Sequence, residues 1–454
     1  MSLNGKRNGQ ALDRLRLWVR WLEPGLGVKR WFGLMAGGIF LLSIGAVLIA
    51  NFKWLDVFDR GVVGAIEMVY IVTGHLMSPI VIGIGLLLVG AAIIVYAVRA
   101  TIGAIVDVFL PRGDPRLVGM ILQQRQLQRG PKIVALGGGT GLSTLLRGLK
   151  RVSTNLTAVV TVFDDGGSSG RLRREQGILP PGDIRNCLVA LAEAEPLLTK
   201  LFTHRFRGGE LDGHSFGNLF IASMSQVTGD LETAVKECSK VLAIRGRVLP
   251  TTLHDVTLRA ELSDGTVVEG ESSITRAGGT IRRVVLKPER VPPLQDVLDA
   301  IADAELIVLG PGSLYTSVLP NLLVEGVVEA LRCSRAVKVY VCNVMTQPGE
   351  TRGFRASDHV RVLLEQGGRG IFDYALVNAR RPSNADLLAR YSLEGAEPVE
   401  PDLDAIRALG LRPISEDLIS EEELVRHDPR KITAALLQLL AAVSPESRRA
   451  AVPL

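Results

Sequence analysis

Five residues, Gly137-Gly138-Gly139-Thr140-Gly141, follow the apolar run Lys132–Leu136 and precede an apolar-periodic segment from Leu142 to Leu149. Without β-carbons, backbone N–H groups approach an anion closely, and a helix start adds partial positive charge, so this stretch has the chemistry of a phosphate cradle. It departs from the dinucleotide fingerprint, whose third glycine position holds Leu142, and from the P-loop, since no Gly-Lys-Ser/Thr follows. Taken alone it is also read as a strand-to-helix turn with no ligand.

Other segments add donors and acceptors. Asp164-Asp165-Gly166-Gly167-Ser168-Ser169 follows a second apolar run. An acid there accepts hydrogen bonds from ribose hydroxyls or holds a divalent cation against phosphates, which makes Asp164 the candidate metal ligand with Asp165 beside it. The same residues are an ordinary turn signal. Pro180-Pro-Gly-Asp183-Ile-Arg185-Asn186 reads as a helix start with Asp183 as N-cap, and Arg185 and Asn186 in its first turn offer donors to a diphosphate. In Gly213-His214-Ser-Phe-Gly-Asn218, the Asn218 amide suits a base edge, whereas a structural role explains His214 equally well. A second glycine loop, Gly310-Pro-Gly312-Ser313-Leu-Tyr315-Thr-Ser317, follows another apolar strand and faces the same crevice, and after the next strand Asn343–Thr351 supplies a further polar loop on that edge. The four cysteines and six histidines show no metal-ligand spacing.

The elements that must position these residues alternate strand and helix. Runs at Lys132–Leu136, Ala158–Phe163, Glu305–Leu309, Ala336–Cys342 and Asp373–Val377 read as strands, with helical patterns between them. The expected fold class is therefore α/β, a Rossmann-like doubly wound parallel sheet with a small antiparallel β insertion over 247–287. Two charge-free stretches precede it, Trp31–Ala50 and Leu76–Val98, each long enough to cross a hydrocarbon core of about 30 Å. The expected organisation is a basic N-terminus (1–30), a transmembrane hairpin (31–98), a linker (99–130), the nucleotide-binding domain (131–443) and a flexible tail (444–454).

The chain has a net charge of +5, and residues 1–30 account for all of it, so the remainder sums to zero. This excludes a broad nucleic-acid footprint on the globular part. Basic residues flank both apolar stretches while the loop between them has only Lys53 and Arg60, so the positive-inside rule places both termini in the cytoplasm. The expected location is the cell inner membrane, with two spans and a cytoplasmic main domain.

In order and spacing, GGGTGLS, VFDDGGSSGRLR, PPGDIRN, HSFGN, GPGSLYTS and CNVMTQPGET resemble the YvcK family of bacterial gluconeogenesis factors, within the CofD-like superfamily. The resemblance implies a nucleotide-binding fold, binding of UDP-sugars, UDP-N-acetylglucosamine in particular, and a role in peptidoglycan precursor supply and cell shape. It also assigns Tyr391 and Arg426 to the neighbourhood of the sugar nucleotide. Pro429 stands where some relatives carry a phosphorylatable Thr. Many relatives begin near the position of Lys132, so the apolar hairpin is a departure. The superfamily's phospholactate transferases resemble this chain in the first glycine loop and acidic pair, but carry GPSNP where Gly310-Pro-Gly312-Ser313-Leu stands and SPI where Cys342-Asn-Val stands.

The expectation is thus a UDP-sugar sensor. Gly137–Gly141 cradle the diphosphate and Asp164 takes ribose or a cation; Asn218 and Tyr315 line base or sugar, and Tyr391 and Arg426 close over them. Glucosamine 6-phosphate synthase is the expected protein partner, and a homodimer is compatible with the reading. The sequence supplies no clear nucleophile or poised base. The alternative is a CofD-type transferase moving a phospho-hydroxyacid from a nucleoside-diphosphate-activated donor, with Asp164 and Asp165 holding a metal. A third reading is a scaffold that places an envelope enzyme at the membrane.

Overall fold

Seven runs of four or five residues form one wholly parallel sheet in the order β10-β9-β8-β7-β1-β2-β3. They are β1 (Ile133–Gly137), β2 (Leu156–Val160), β3 (Arg247–Pro250), β7 (Leu306–Leu309), β8 (Val337–Val341), β9 (Tyr374–Asn378) and β10 (Arg412–Glu416). The central strands β1, β2, β7 and β8 are buried at every position, as strands covered by helices on both faces must be. This is the α/β class that the alternation predicts. The computed structural model describes residues 29–50, 79–109, 124–193, 196–422 and 424–443.

The chain divides into two compact units, residues 1–120 and 121–454. In the first, α1 (Lys29–Ala50) and α2 (Pro79–Phe109) contain windows of mean hydropathy 2.3 and 2.7 and are long and apolar enough to cross a membrane. They pack through paired glycines: a β-carbon at Gly45 would come 2.7 Å from the Gly83 carbonyl, and one at Gly90 2.8 Å from that of Gly38. Close backbone approach of this kind is how helices associate where apolar burial gives no net drive. Pro79 occupies the first helical position, where a missing N–H is harmless. The helix runs past Val98 to Phe109, because Arg99 interrupts hydropathy without breaking helical geometry. The N-terminus before Lys29, the start of the second apolar stretch at Leu76, the linker over 110–123 and the tail from 444 lie outside the described residues.

Five elements of the second unit differ from expectation: β3, β10, the two strands of a late hairpin and the helix after Asp165. Arg247–Pro250 belongs to the main sheet as its edge strand, with Val160 opposite Pro250, and the antiparallel insertion starts later, at β4 (Thr257–Leu262). Proline is tolerated there because an edge strand has one face of its ladder free. The insertion comprises β4, β5 (Val267–Glu269) and β6 (Ile281–Lys287), with α9 (Glu271–Ala277) between the last two. Beyond the last predicted strand come β10, too polar to signal itself, and the hairpin β11 (Ile419–Glu421) and β12 (Val425–His427). The glycine- and serine-rich turn after Asp165 continues as a helix, α4 (Gly167–Gln176).

Candidate functional site

β1 pairs with β2 on one side and β7 on the other, and the connections from β1 and β7 run in opposite directions across the sheet. The loops after these two strands therefore flank a crevice at the carboxyl ends, where open α/β sheets bind ligands. A cavity of about 200 Å³ opens there. Its walls are Gly138–Gly141 and Thr144, Pro311–Ser313 and Ser317, Asn343–Met345 and Gln347, and Val425–His427.

The first loop leads into α3 (Gly139–Leu149), and Gly139 adopts φ +64°, a conformation that favours glycine. A β-carbon at Gly141 would come 2.5 Å from the Pro311 carbonyl oxygen, so the two glycine loops touch through backbone. Gly137 is the last residue of β1 and does not line the cavity. The loop after β8 sets the second glycine loop: Ser313 Oγ donates to Gln347 Oε1 at 2.7 Å, and Gly312 N donates to Asn343 Oδ1 at 3.3 Å.

Arg426 reaches the same cavity from β12, opposite Ser420 of β11. It is exposed and has no ion pair among the described residues. The neighbouring His427 is buried, and burial pushes its imidazole down to about 4, so it is neutral and donates from Nε2 to the Cys342 carbonyl at 3.1 Å. That bond ties the hairpin to the end of β8. Tyr391, on α14 (Ala385–Leu393), supports the hairpin from behind: its ring packs on the cluster of Val344, Leu387, Ile419 and Val425, and its hydroxyl lies 3.5 Å from the Val425 carbonyl. It does not line the cavity.

The acidic groups lie beneath and beside the first loop. Asp183 is in the first turn of α5 (Gly182–Leu191), whose N-cap is Pro181. Its carboxylate accepts from the Gly139 backbone N–H, and Thr161 Oγ1 lies 3.4 Å away. Burial, helped by nearby Asp164, pushes this carboxyl up to about 6. Asp164 is likewise raised by burial, and its Oδ1 accepts from Gly166 N at 2.8 Å. Glu271 is driven well above the ordinary range by burial and by Asp164, Asp183 and Glu350. Among the described residues no three His, Cys, Asp or Glu side chains converge as a ligand set, so a cation here would rest on Asp164 and Asp183 and on oxygens of its ligand. Asp165 turns away and accepts from Ser272 N at 2.8 Å, capping α9 of the insertion.

A carboxyl that protonates more readily folded than unfolded makes the folded state hold more protons between the ordinary carboxylate range and its raised value, so its contribution to stability falls as pH rises through that window. Asp183→Asn keeps an acceptor for Gly139 and removes the charge. The variant is expected to match the wild type near pH 4 and to be more stable by about 1–3 kcal/mol near pH 7, read by denaturant melts at both. Equal differences at the two pH values would contradict the placement of Asp183.

The remaining expected residues form a neighbouring polar patch. Arg185 directs its guanidinium to Ser215 Oγ (2.7 Å) and Asn186 Oδ1 (2.6 Å), so neither Arg185 nor Asn186 faces the glycine cavity. His214 is buried with Nδ1 3.0 Å from Ser168 Oγ. Asn218 is 2% exposed at the start of α7 (Phe216–Thr228), its Nδ2 3.4 Å from Ser169 Oγ and its Oδ1 without a partner among the described residues. Tyr315 is also buried, its hydroxyl 3.4 Å from the Ile281 carbonyl and its ring against Phe354. Asn218 and Tyr315 are thus enclosed rather than lining the crevice. Sequence reasoning missed Thr144 as a cavity residue, reached Ser317 and Gln347 only as members of their loops, and gave Asp183 only a capping role.

Residues 133–419 match the family model described as 2-phospho-L-lactate transferase CofD. A putative gluconeogenesis factor of a Nostoc species is 48% identical over 444 residues, 96% of each chain. The gluconeogenesis factor of Bacillus subtilis is 51% identical over 312 residues, covering 68% of this chain and 98% of its own. A solved structure from Bacillus halodurans, a member of the UPF0052 family, superposes with a TM-score of 0.66 at 53% identity, covering 68% of this chain and 99% of its own. Two-layered helices over a parallel sheet, the paired glycine loops at the switch point and this extent of identity lead to one assignment: the chain belongs to the gluconeogenesis factor family, with a CofD-like domain as its globular unit.

Proposed function

We propose that this protein is a membrane-anchored, cytoplasm-facing regulator that binds a UDP-sugar, UDP-N-acetylglucosamine first among them, and passes its ligand state to an enzyme of envelope precursor supply such as glucosamine 6-phosphate synthase. One observation carries the reading: two glycine loops and an arginine with no ion pair among the described residues share one cavity. Backbone N–H groups and a guanidinium fork are what a diphosphate requires. A cavity of about 200 Å³ is smaller than a ligand pocket's usual range of roughly 300–1,000 Å³, so the rest of a sugar nucleotide must lie along the open crevice toward Asp183 and Asp164. The two apolar helices support anchoring, and the basic residues around them support a cytoplasmic domain.

A CofD-type transferase is the second reading, favoured by the family model and by two raised carboxyls, Asp164 and Asp183, which a divalent cation would hold ionised. The two readings separate by turnover. Incubation with UDP-N-acetylglucosamine and with activated phospho-hydroxyacid donors, followed by mass analysis, should leave every compound intact for a sensor. Product that disappears in Asp164→Asn would establish the transferase. For the sensor, Arg426→Ala is expected to weaken UDP-N-acetylglucosamine about 10- to 100-fold with melting temperature unchanged, since it removes charge-assisted bonds from an exposed residue.

A further inference from the structure

The globular part has no net charge, yet its charge is unevenly placed. Six of the seven strands of the main sheet are entered through a segment that carries an exposed arginine: Arg129, Arg151, Arg247, Arg335, Arg369 and Arg412. β7 is entered through two acids, Asp303 and Glu305, both engaged by Lys132, through Nζ at 2.7 Å and backbone N at 3.1 Å, and Asp373 before β9 lies 3.9 Å from Lys338 Nζ. Among the described residues Arg151, Arg335 and Arg369 have no ion pair, and the nearest carboxylate to Arg247 is Asp296 at 4.0 Å. In a parallel sheet all strands start at the same edge, so these arginines share one face of the domain, opposite the crevice. The chain also enters here: Asn155 Nδ2 donates to the carbonyls of Gln128 (2.9 Å) and Gly130 (2.7 Å), fixing the last residues before β1 at this edge. Leu197, 75% exposed near the start of α6 (Pro196–Thr203), follows Glu193 of the same edge and adds an apolar side chain.

We propose that the amino edge of the sheet is a docking surface for an anionic lipid bilayer, leaving the ligand crevice at the other edge open to solvent. Charge complementarity selects the occupant: arginines spread over the width of a sheet suit a plane of phosphate headgroups, and an adjacent exposed leucine suits the headgroup–acyl boundary. The inference rests on the membrane-anchored reading for the reason that lipid is near. Its test does not. The solved Bacillus halodurans relative consists of this unit almost alone, so residues 124–454 form a unit that folds without the apolar helices.

The experiment is co-sedimentation of residues 124–454 with phosphatidylcholine vesicles, with and without about one-third phosphatidylglycerol, at low and high salt. Partition onto the anionic vesicles alone, suppressed by salt, is expected. Each of Arg151→Gln, Arg335→Gln and Arg369→Gln should weaken it about fivefold, and the triple variant about 100-fold, while Arg381→Gln at the crevice edge leaves it unchanged. These side chains are exposed, so melting curves should show all variants folded. Equal partition onto both vesicle types, no partition onto either, or equal loss in Arg381→Gln would overturn the proposal. So would arginine variants that lower the melting temperature without moving partition, since helix-dipole compensation alone would then explain the arginines. Tighter binding to RNA than to the anionic vesicles would likewise overturn it.

Discussion

Gly141→Ala is expected to abolish measurable UDP-sugar binding. The added methyl would sit 2.5 Å from the Pro311 carbonyl oxygen and 2.8 Å from its carbon, and both belong to backbone that no rotamer change can move. The two glycine loops must separate, which takes their N–H groups out of register for one diphosphate. Overpacking of this kind costs about 1–3 kcal/mol of stability, so the protein should remain folded while its affinity falls by more than 100-fold. Titration beside a thermal melt reads both effects. Retained affinity would mean that the loops do not act as one cradle.

Gly148→Ala reaches the site from a distance. Gly148 lies near the end of α3 and does not line the cavity, yet a β-carbon there would overlap the Pro429 carbonyl oxygen and the Thr433 hydroxyl at the start of α16 (Pro429–Val443). The close approach of these helices holds the chain just after Arg426 against α3. Displacing Pro429 should destabilise the protein by about 3 kcal/mol and, through the shifted hairpin, weaken ligand binding about tenfold. A variant with normal affinity and a lowered melting temperature would restrict Gly148 to packing.

The parallel sheet was legible because its central strands are buried on both sides and so read as near-continuous apolar runs, interrupted by Thr157 in β2 and Lys338 in β8. The edge strands were less visible. Arg247–Pro250 carries a charge and a proline, and Arg412–Glu416 has no apolar pattern, since an edge needs only part of its surface covered. Both glycine loops were readable because backbone geometry leaves marks in residue type, whereas Arg426 was named only through the family resemblance. Side-chain direction leaves none. Asp164 and Asp165 are neighbours, yet one accepts from Gly166 beside the crevice while the other caps the insertion's helix. Asp183, classed by its position as a cap, reaches the first glycine loop instead, and Tyr315 follows a glycine loop yet points toward the insertion. These outcomes depend on packing between segments far apart in the chain.

The most direct measurement is calorimetric titration of residues 124–454 with UDP-N-acetylglucosamine, with UDP and GDP as competitors and Arg426→Ala as the comparison protein. Saturable one-site binding, displaced by UDP more readily than by GDP and weakened in the variant, is the predicted result. No binding, or a preference for GDP that Arg426→Ala leaves untouched, would contradict a UDP-sugar site at the switch point.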